Sequence, residues 1–201
     1  NGLIIQDTVK MLIKNCTFQD LIGLKGAAFY LNNVNPVLLP DVIIEDCKFI
    51  RNLGNKGGAL YVEGYSTVLV KDSLFDSNRV VTVDGTGTLG YGEGGAVYYH
   101  CHNTTGKCNL LLQGDTFTNN VAELNGGAIK WSDSRVYNQS CIFTNNRAVY
   151  GNDIASFPIH FVLEKSKNPG TYAPDLAAKF NARLLTQHSS LRVLSEEDDD
   201  R

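Results

Sequence analysis

Methionine and tryptophan occur once each in this 201-residue chain, and no apolar run reaches eighteen residues. The missing apolar run excludes a membrane-spanning helix. A dominant charge sign is missing too: 18 Lys and Arg stand against 21 Asp and Glu, a formal net charge of −3. That balance, with a pI near 5.8, argues against nucleic acid or an anionic lipid surface as a bulk partner. The chain starts at Asn1 with no signal peptide, and is expected to be a mature product or a piece of a larger protein. What abounds is glycine and asparagine, 19 of each, beside 43% hydrophobic residues. The hydrophobic share is enough for a core, and the turn formers favour many short strands over helices.

Internal repeats set the organisation. Phe18, Phe49, Phe75, Phe117 and Phe143 recur in similar contexts, with Cys16, Cys47, Ser73, Asp115 and Cys141 two residues earlier. Asn52, Asn78, Asn120 and Asn146 stand three residues after the last four of these phenylalanines. A small-residue motif follows as Gly57-Gly58-Ala59, Gly94-Gly95-Ala96 and Gly126-Gly127-Ala128, with Gly26-Ala27-Ala28 and Gly151-Asn152-Asp153 in the outer copies. The Phe spacings are 31, 26, 42 and 26, the longest holding an insertion at Val80–Gly92 and a longer return at Cys101–Cys108. Alternation before each Phe assigns Ile43, Cys47 and Phe49 to one face, and Leu69, Ser73 and Phe75 likewise. A second strand follows each glycine pair, as in Ala59–Val62, Ala96–Tyr99 and Ala128–Trp131.

Two or three short strands per repeat, with turns at fixed offsets, predict an all-β right-handed parallel β-helix of about five coils over residues 1–158. Coils stack about 4.8 Å apart, so Phe should stack on Phe inside and Asn on Asn in a turn. Residues 159–201 lose the repeat and are expected to form an extended tail or the start of a following domain. Within it Ile159–Leu163 reads as a strand, and Pro174–Leu185 as a helix or as further strand.

Cys47-x-Phe49-x-x-Asn52 followed by Gly57-Gly58-Ala59-Leu60-Tyr61 resembles the repeats of chlamydial polymorphic outer-membrane proteins. It is equally similar to those of large protist surface proteins with pectin-lyase-like folds. The resemblance covers roughly residues 10–158 and implies an adhesin or structural surface protein. Coil 1 departs from the pattern with Leu21 in the Asn position, and coil 4 with Asp115 in the Cys position. Polygalacturonase-type hydrolases of that fold carry Asn-Thr-Asp, Asp-Asp, Gly-His-Gly and Arg-Ile-Lys motifs, none of which occurs on these repeats. Asp46 and Asp72 lie one residue before the Cys/Ser position and Asp115 on it, so they do not form one row for a calcium or catalytic cluster.

No catalytic residue, metal site or cofactor is therefore expected. His100-Cys101-His102 with Cys108 has zinc-type donors, but a Cys101–Cys108 disulfide closing a small loop is the favoured reading. Cys16, Cys47 and Cys141 are read as a row of free thiols. Asn15, Asn103 and Asn138 head N-glycosylation sequons. Asn103 lies on a loop, and alternation from Cys16 and Cys141 points Asn15 and Asn138 outward. The expected role is a non-catalytic, extracellular or cell-surface module, assembling as a homo-oligomer or larger surface assembly through coil ends or tail. The rival is a carbohydrate-active or carbohydrate-binding module, in which Tyr61, Tyr98, Tyr99 and Trp131 line a groove for possible glycan contact.

Overall fold

The computed structural model describes residues 2–6, 10–34, 41–81, 92–101, 109–132, 135–157, 161–164 and 191–194. The chain divides into two compact units, Asn1–Phe157 and Pro158–Arg201. In the first unit every strand pairing is parallel, which builds a parallel β-helix with four strand columns. Sheet 1 stacks β1 (Leu3–Gln6), β4 (Phe29–Asn33), β8 (Leu60–Gly64), β12 (Val97–Cys101), β16 (Ile129–Ser132) and β19 (Ile154–Phe157). Sheet 2 stacks β2 (Lys10–Lys14), β5 (Asp41–Glu45), β9 (Thr67–Lys71), β13 (Asn109–Gln113) and β17 (Arg135–Gln139). Sheet 3 stacks β3 (Thr17–Gln19), β6 (Lys48–Ile50), β10 (Leu74–Asp76), β14 (Thr116–Thr118) and β18 (Ile142–Thr144). Sheet 4 is the short column β7 (Leu53–Gly54), β11 (Arg79–Val80) and β15 (Val121–Ala122). In the second unit, β20 (Phe161–Glu164) pairs in parallel with β21 (Leu191–Leu194), while the expected helix at 174–185 lies outside the described residues.

Each coil turns its corners on single left-handed residues. The corner from sheet 2 to sheet 3 is Asn15, Asp46, Asp72, Gly114 and Ser140, with φ between 50° and 68°. The next corner is Asp20, Arg51, Ser77, Asn119 and Asn145, with φ between 51° and 57°. Asn, Asp and Ser are short polar residues that tolerate this region because the side chain bonds locally. Arg51 is the costly member, and its guanidinium is held on the Asp20 carboxylate of the coil before at 2.8 and 2.9 Å. The corner leading into sheet 1 is glycine in every coil, Gly94 having φ of 69°. The second glycine answers a different demand: a Cβ on Gly95 would lie 1.9 Å from the Gly127 carbonyl of the next coil.

These corners correct the inside-outside reading of sheet 2. A left-handed residue takes up one position without continuing the alternation, so the phase slips between sheets 2 and 3. Val42, Ile44, Val68 and Val70 point inward and are 0–3% exposed, whereas Ile43 and Leu69 face outward. Asn138 is corrected for the same reason. Ser140 slips the phase, and Asn138 falls in the inward row of Ile13, Ile44, Val70 and Leu112, although it is exposed at the end of the rod.

The phenylalanine rungs stack in register. Phe18, Phe49, Phe75, Phe117 and Phe143 follow one another at ring-centroid distances of 5.2, 4.6, 4.7 and 5.0 Å, with planes within 11° of parallel. Beside them runs the asparagine ladder. Asn78 Nδ2 donates to the Phe49 carbonyl at 2.9 Å and to Asn120 Oδ1 at 3.0 Å. Its Oδ1 accepts from the Asn52 main-chain N–H at 3.1 Å and from Asn52 Nδ2 at 2.9 Å. Asn120 repeats the pattern toward Asn146, so the inner amides spend two donors and two acceptor positions. The ladder ends at Leu21 on one side, whose N–H reaches Asn52 Oδ1, and at Asp153 on the other, whose Oδ1 accepts from Asn146 Nδ2.

Two substitutions test this interior. Phe75→Ala should cost about 3–5 kcal/mol by opening a cavity between two stacked rings. Asn78→Ala should cost about 1–3 kcal/mol by orphaning the Phe49 carbonyl and the Asn52 N–H. Chemical denaturation reads both; variants that unfold with the parent would contradict the assigned interior.

Candidate functional site

The described surface richest in chemistry is the outer face of sheet 1. The residues after each glycine-alanine corner alternate in and out, so every second one from five coils lines up outside. One outward row is Tyr30, Tyr61, Tyr98, Lys130 and Ala155, and the next is Asn32, Glu63, His100 and Ser132. Tyr61 and Tyr98 stack at 5.0 Å with planes 6° apart, and Tyr30 meets Tyr61 edge-on at 5.4 Å. Lys25 Nζ lies 4.9 Å from the Tyr61 ring centroid and 3.2 Å from Glu63 Oε2, and Lys56 Nζ lies 5.0 Å from the Tyr98 centroid. His100 Nδ1 contacts Ser132 Oγ at 2.5 Å, and Lys130 Nζ donates to the Trp131 carbonyl at 2.9 Å.

This face does not assemble the expected tyrosine–tryptophan groove. Tyr61 and Tyr98 point outward but are only 2% and 8% exposed. Tyr99 and Trp131 fall on the inward row, Tyr99 with no exposure and its hydroxyl donating to the Ser66 carbonyl at 2.6 Å. Burial pushes the Tyr61 and Tyr99 hydroxyls well above the ordinary phenol range. The Glu63, His100 and Ser132 row escaped the reading of the sequence. Its signal was available: each lies four positions after the alanine of its corner motif.

A second feature is an open cleft of about 470 Å³ along the corner between sheets 2 and 3, bordered by Asp46, Lys48, Asp72 and Thr116. Asp46 and Asp72 stand in the corner column and Asp115 in the inward column, so the three carboxylates do not converge. Asp46 and Asp72 lie 3.7 Å from Lys14 and Lys71 respectively. Among the described residues no group of three or more His, Cys, Asp and Glu is placed to hold a metal ion. No helix among them is long and apolar enough to cross a membrane.

The chain matches the family described as "Right handed beta helix region" over residues 1–164. It belongs to the right-handed β-helix family. Comparison with curated proteins and with solved structures finds no match.

Several predicted sites can be placed on this β-helix. Cys16, Cys47 and Cys141 are free thiols on the inward column, Cys47 fully covered and the other two part-exposed in the outer coils. Burial pushes the Cys47 and Cys141 thiols up, which disfavours thiolate chemistry there. Cys101 is buried at the end of β12, and Cys108 lies outside the described residues, as do His102 and Asn103. Asn15 is exposed on the first corner column.

Asp115 occupies that thiol column with no exposure. Its Oδ1 accepts from the Ser73 N–H at 2.9 Å and its Oδ2 from the Gln113 N–H at 3.1 Å. Burial outweighs these bonds and pushes the carboxyl up to about 7 from 3.8. A carboxyl raised on folding stabilises the protein below its unfolded value, and that stability is lost as pH climbs to the folded value. Stability should therefore fall between about pH 4 and pH 7, by up to about 4 kcal/mol at the usual 1.36 kcal/mol per unit. Ser73 shows that serine fits the column, its Oγ accepting from Cys47 N–H and donating to the Lys71 carbonyl. Asp115→Ser should flatten this dependence and exceed the parent in stability at pH 8. Thermal melts across that range decide it; an unchanged slope would place the titration elsewhere.

Proposed function

We propose that this β-helix is a non-catalytic structural or adhesive module of an extracellular or cell-surface assembly. The observation that carries the reading is where the chemistry-bearing side chains are spent. The asparagine amides bond to one another and to main chain, and the best aromatic row is stacked and covered. The likeness to polymorphic outer-membrane and protist surface repeats supports the same reading. Such a rod contributes stiffness and a regular surface rather than a reaction.

A carbohydrate-active module is the second reading, and one observation favours it: the His100–Ser132 contact in the row of Glu63. Incubation with acidic and neutral polysaccharides, followed by reducing-end and unsaturated-product assays, separates the two. No cleavage is expected from the parent. Cleavage that disappears in His100→Ala would overturn the non-catalytic reading.

An extracellular route carries covalent expectations. Peptide mapping without reduction should join Cys101 to Cys108 and leave Cys141 free after unfolding. Glycan should appear on Asn103 first, with Asn15 and Asn138 as further acceptors. A zinc ion on the His100–Cys108 segment, or bare Asn103 in native material, would count against that route.

A further inference from the structure

Sheet 2 carries apolar residues on both of its faces. Its strands read as unbroken apolar runs, as in Val68-Leu69-Val70 and Leu110-Leu111-Leu112. The outer two residues of each run point into the rod, and the middle ones stack outward in register as Leu12, Ile43, Leu69, Leu111 and Tyr137. No other outward row among the described residues is apolar throughout. Asn32 and Lys130 interrupt those on sheet 1, Gln19 and Lys48 those on sheet 3, and Arg79 that on sheet 4. Parallel strands that read as continuous apolar runs belong to sheets covered on both faces. The core covers the inner face here. On the outer face Leu12 and Tyr137 are 63% and 48% exposed and the three residues between them half-buried, whereas the outward Tyr61 and Tyr98 of sheet 1 are covered.

The row beside this stripe is charged and alternates in sign. Lys14, Glu45 and Lys71 lie in register two residues further along their strands, and Gln113 and Gln139 continue the row. Lys14 Nζ and Lys71 Nζ lie 3.2 and 3.5 Å from the Glu45 carboxylate, and all three side chains remain part-exposed. Stripe and charged row both lie on the flank of the rod. Their arrangement therefore does not depend on what adjoins the first coil or the last.

We propose that two copies of the β-helix pair flank to flank through the outer face of sheet 2, about a two-fold axis that runs along the strands between β5 and β9. This rests on the structural-module reading above and specifies its partner. Sheets packed face to face keep their strand directions within about 30° and lie about 10 Å apart, a gap that interdigitating Leu and Ile side chains fill. The charges select the register. This axis sets Ile43 against the partner's Leu69, Leu12 against the partner's Leu111, and Glu45 against the partner's Lys71. An axis through β9 would set Lys71 against its own counterpart, and one along the rod would set Lys10 against the partner's Lys14. One between β9 and β13 would leave Glu45 and Lys71 opposite glutamines. The contact is isologous and closes at two copies. Four strands of five residues, at about 4.8 Å between strands and 3.3 Å per residue, offer about 300 Å² on each copy. That is less than half of one partner's share in a standard interface, so the pair is weak in dilute solution and forms where copies are held close together, as in a surface assembly.

Sedimentation equilibrium of the full chain from micromolar to millimolar concentration, at low ionic strength, tests it. The parent should pass from one copy toward two and no further. Leu69→Glu puts a charge in the middle of the stripe and should abolish pairing, with the parent's melting temperature in dilute solution because the position faces outward. Glu45→Lys and Lys71→Glu should each weaken pairing about tenfold by setting like charges opposite one another. An equimolar mixture of those two variants sets opposite charges across the axis at both places, and should pair at least as tightly as the parent. A salt bridge within one copy cannot produce that rescue. A parent that stays a single copy, a parent that forms an open series of sizes, a folded Leu69→Glu that still pairs, or a mixture no tighter than its components would each overturn the proposal. Polysaccharide cleavage by a paired parent would sink the non-catalytic reading alone, and a single-copy, inactive parent would sink the pairing alone.

Discussion

The structure depends on one constraint: each coil must lie in register over the last, so that main-chain groups pair between coils at every strand. A helix satisfies its backbone within one segment, but a coil of this rod cannot. Short strands of three to five residues in sheets 2 and 3 bring little stability alone. The corner between sheets 3 and 4 is where the requirement is sharpest, because the turn frees a carbonyl and an N–H that no strand takes up. The asparagine ladder answers both. Its amide bonds the Phe carbonyl of the preceding coil, and its oxygen takes the N–H and amide of that same coil's asparagine. Register in the ladder then fixes register in the phenylalanine stack three residues away on the same turn.

Much of this was legible in the sequence because a solenoid writes its fold as a period. The Phe, Asn and glycine-pair columns were visible as recurring residues, and all three stack as the period requires. What misled was the assumption of unbroken alternation. A single left-handed residue at Asp46, Asp72 or Ser140 changes which side of the chain faces the core without leaving a strong mark, since Asp and Ser are ordinary surface residues. Ile43, Leu69 and Asn138 were placed on the wrong face for that one reason.

The candidate site was less legible, and the cause is again physical. A row across coils draws one residue from each repeat, so Glu63, His100 and Ser132 are separated by 37 and 32 positions and form no local motif. Only their shared offset from the corner alanine connects them. Read that way, the face is a composite of tyrosines, lysines and a His–Ser contact, most of it internally bonded. Asp115 is the opposite case: its place on the inward column follows from the repeat alone, and its raised carboxyl follows from burial. The last coil departs from the repeat at Asn138 and Asp153, and Asp153 accepts the final rung of the asparagine ladder.

The in-register amide ladder is tested most directly by hydrogen exchange of the asparagine side-chain amides, followed residue by residue by NMR. Asn78 and Asn120, each held between two neighbouring rungs, should exchange slowest. Asn52 and Asn146, beside the Leu21 and Asp153 ends, should exchange faster but remain protected. Side-chain amides of Asn78 and Asn120 that exchange as fast as those of exposed Asn15 would contradict the account.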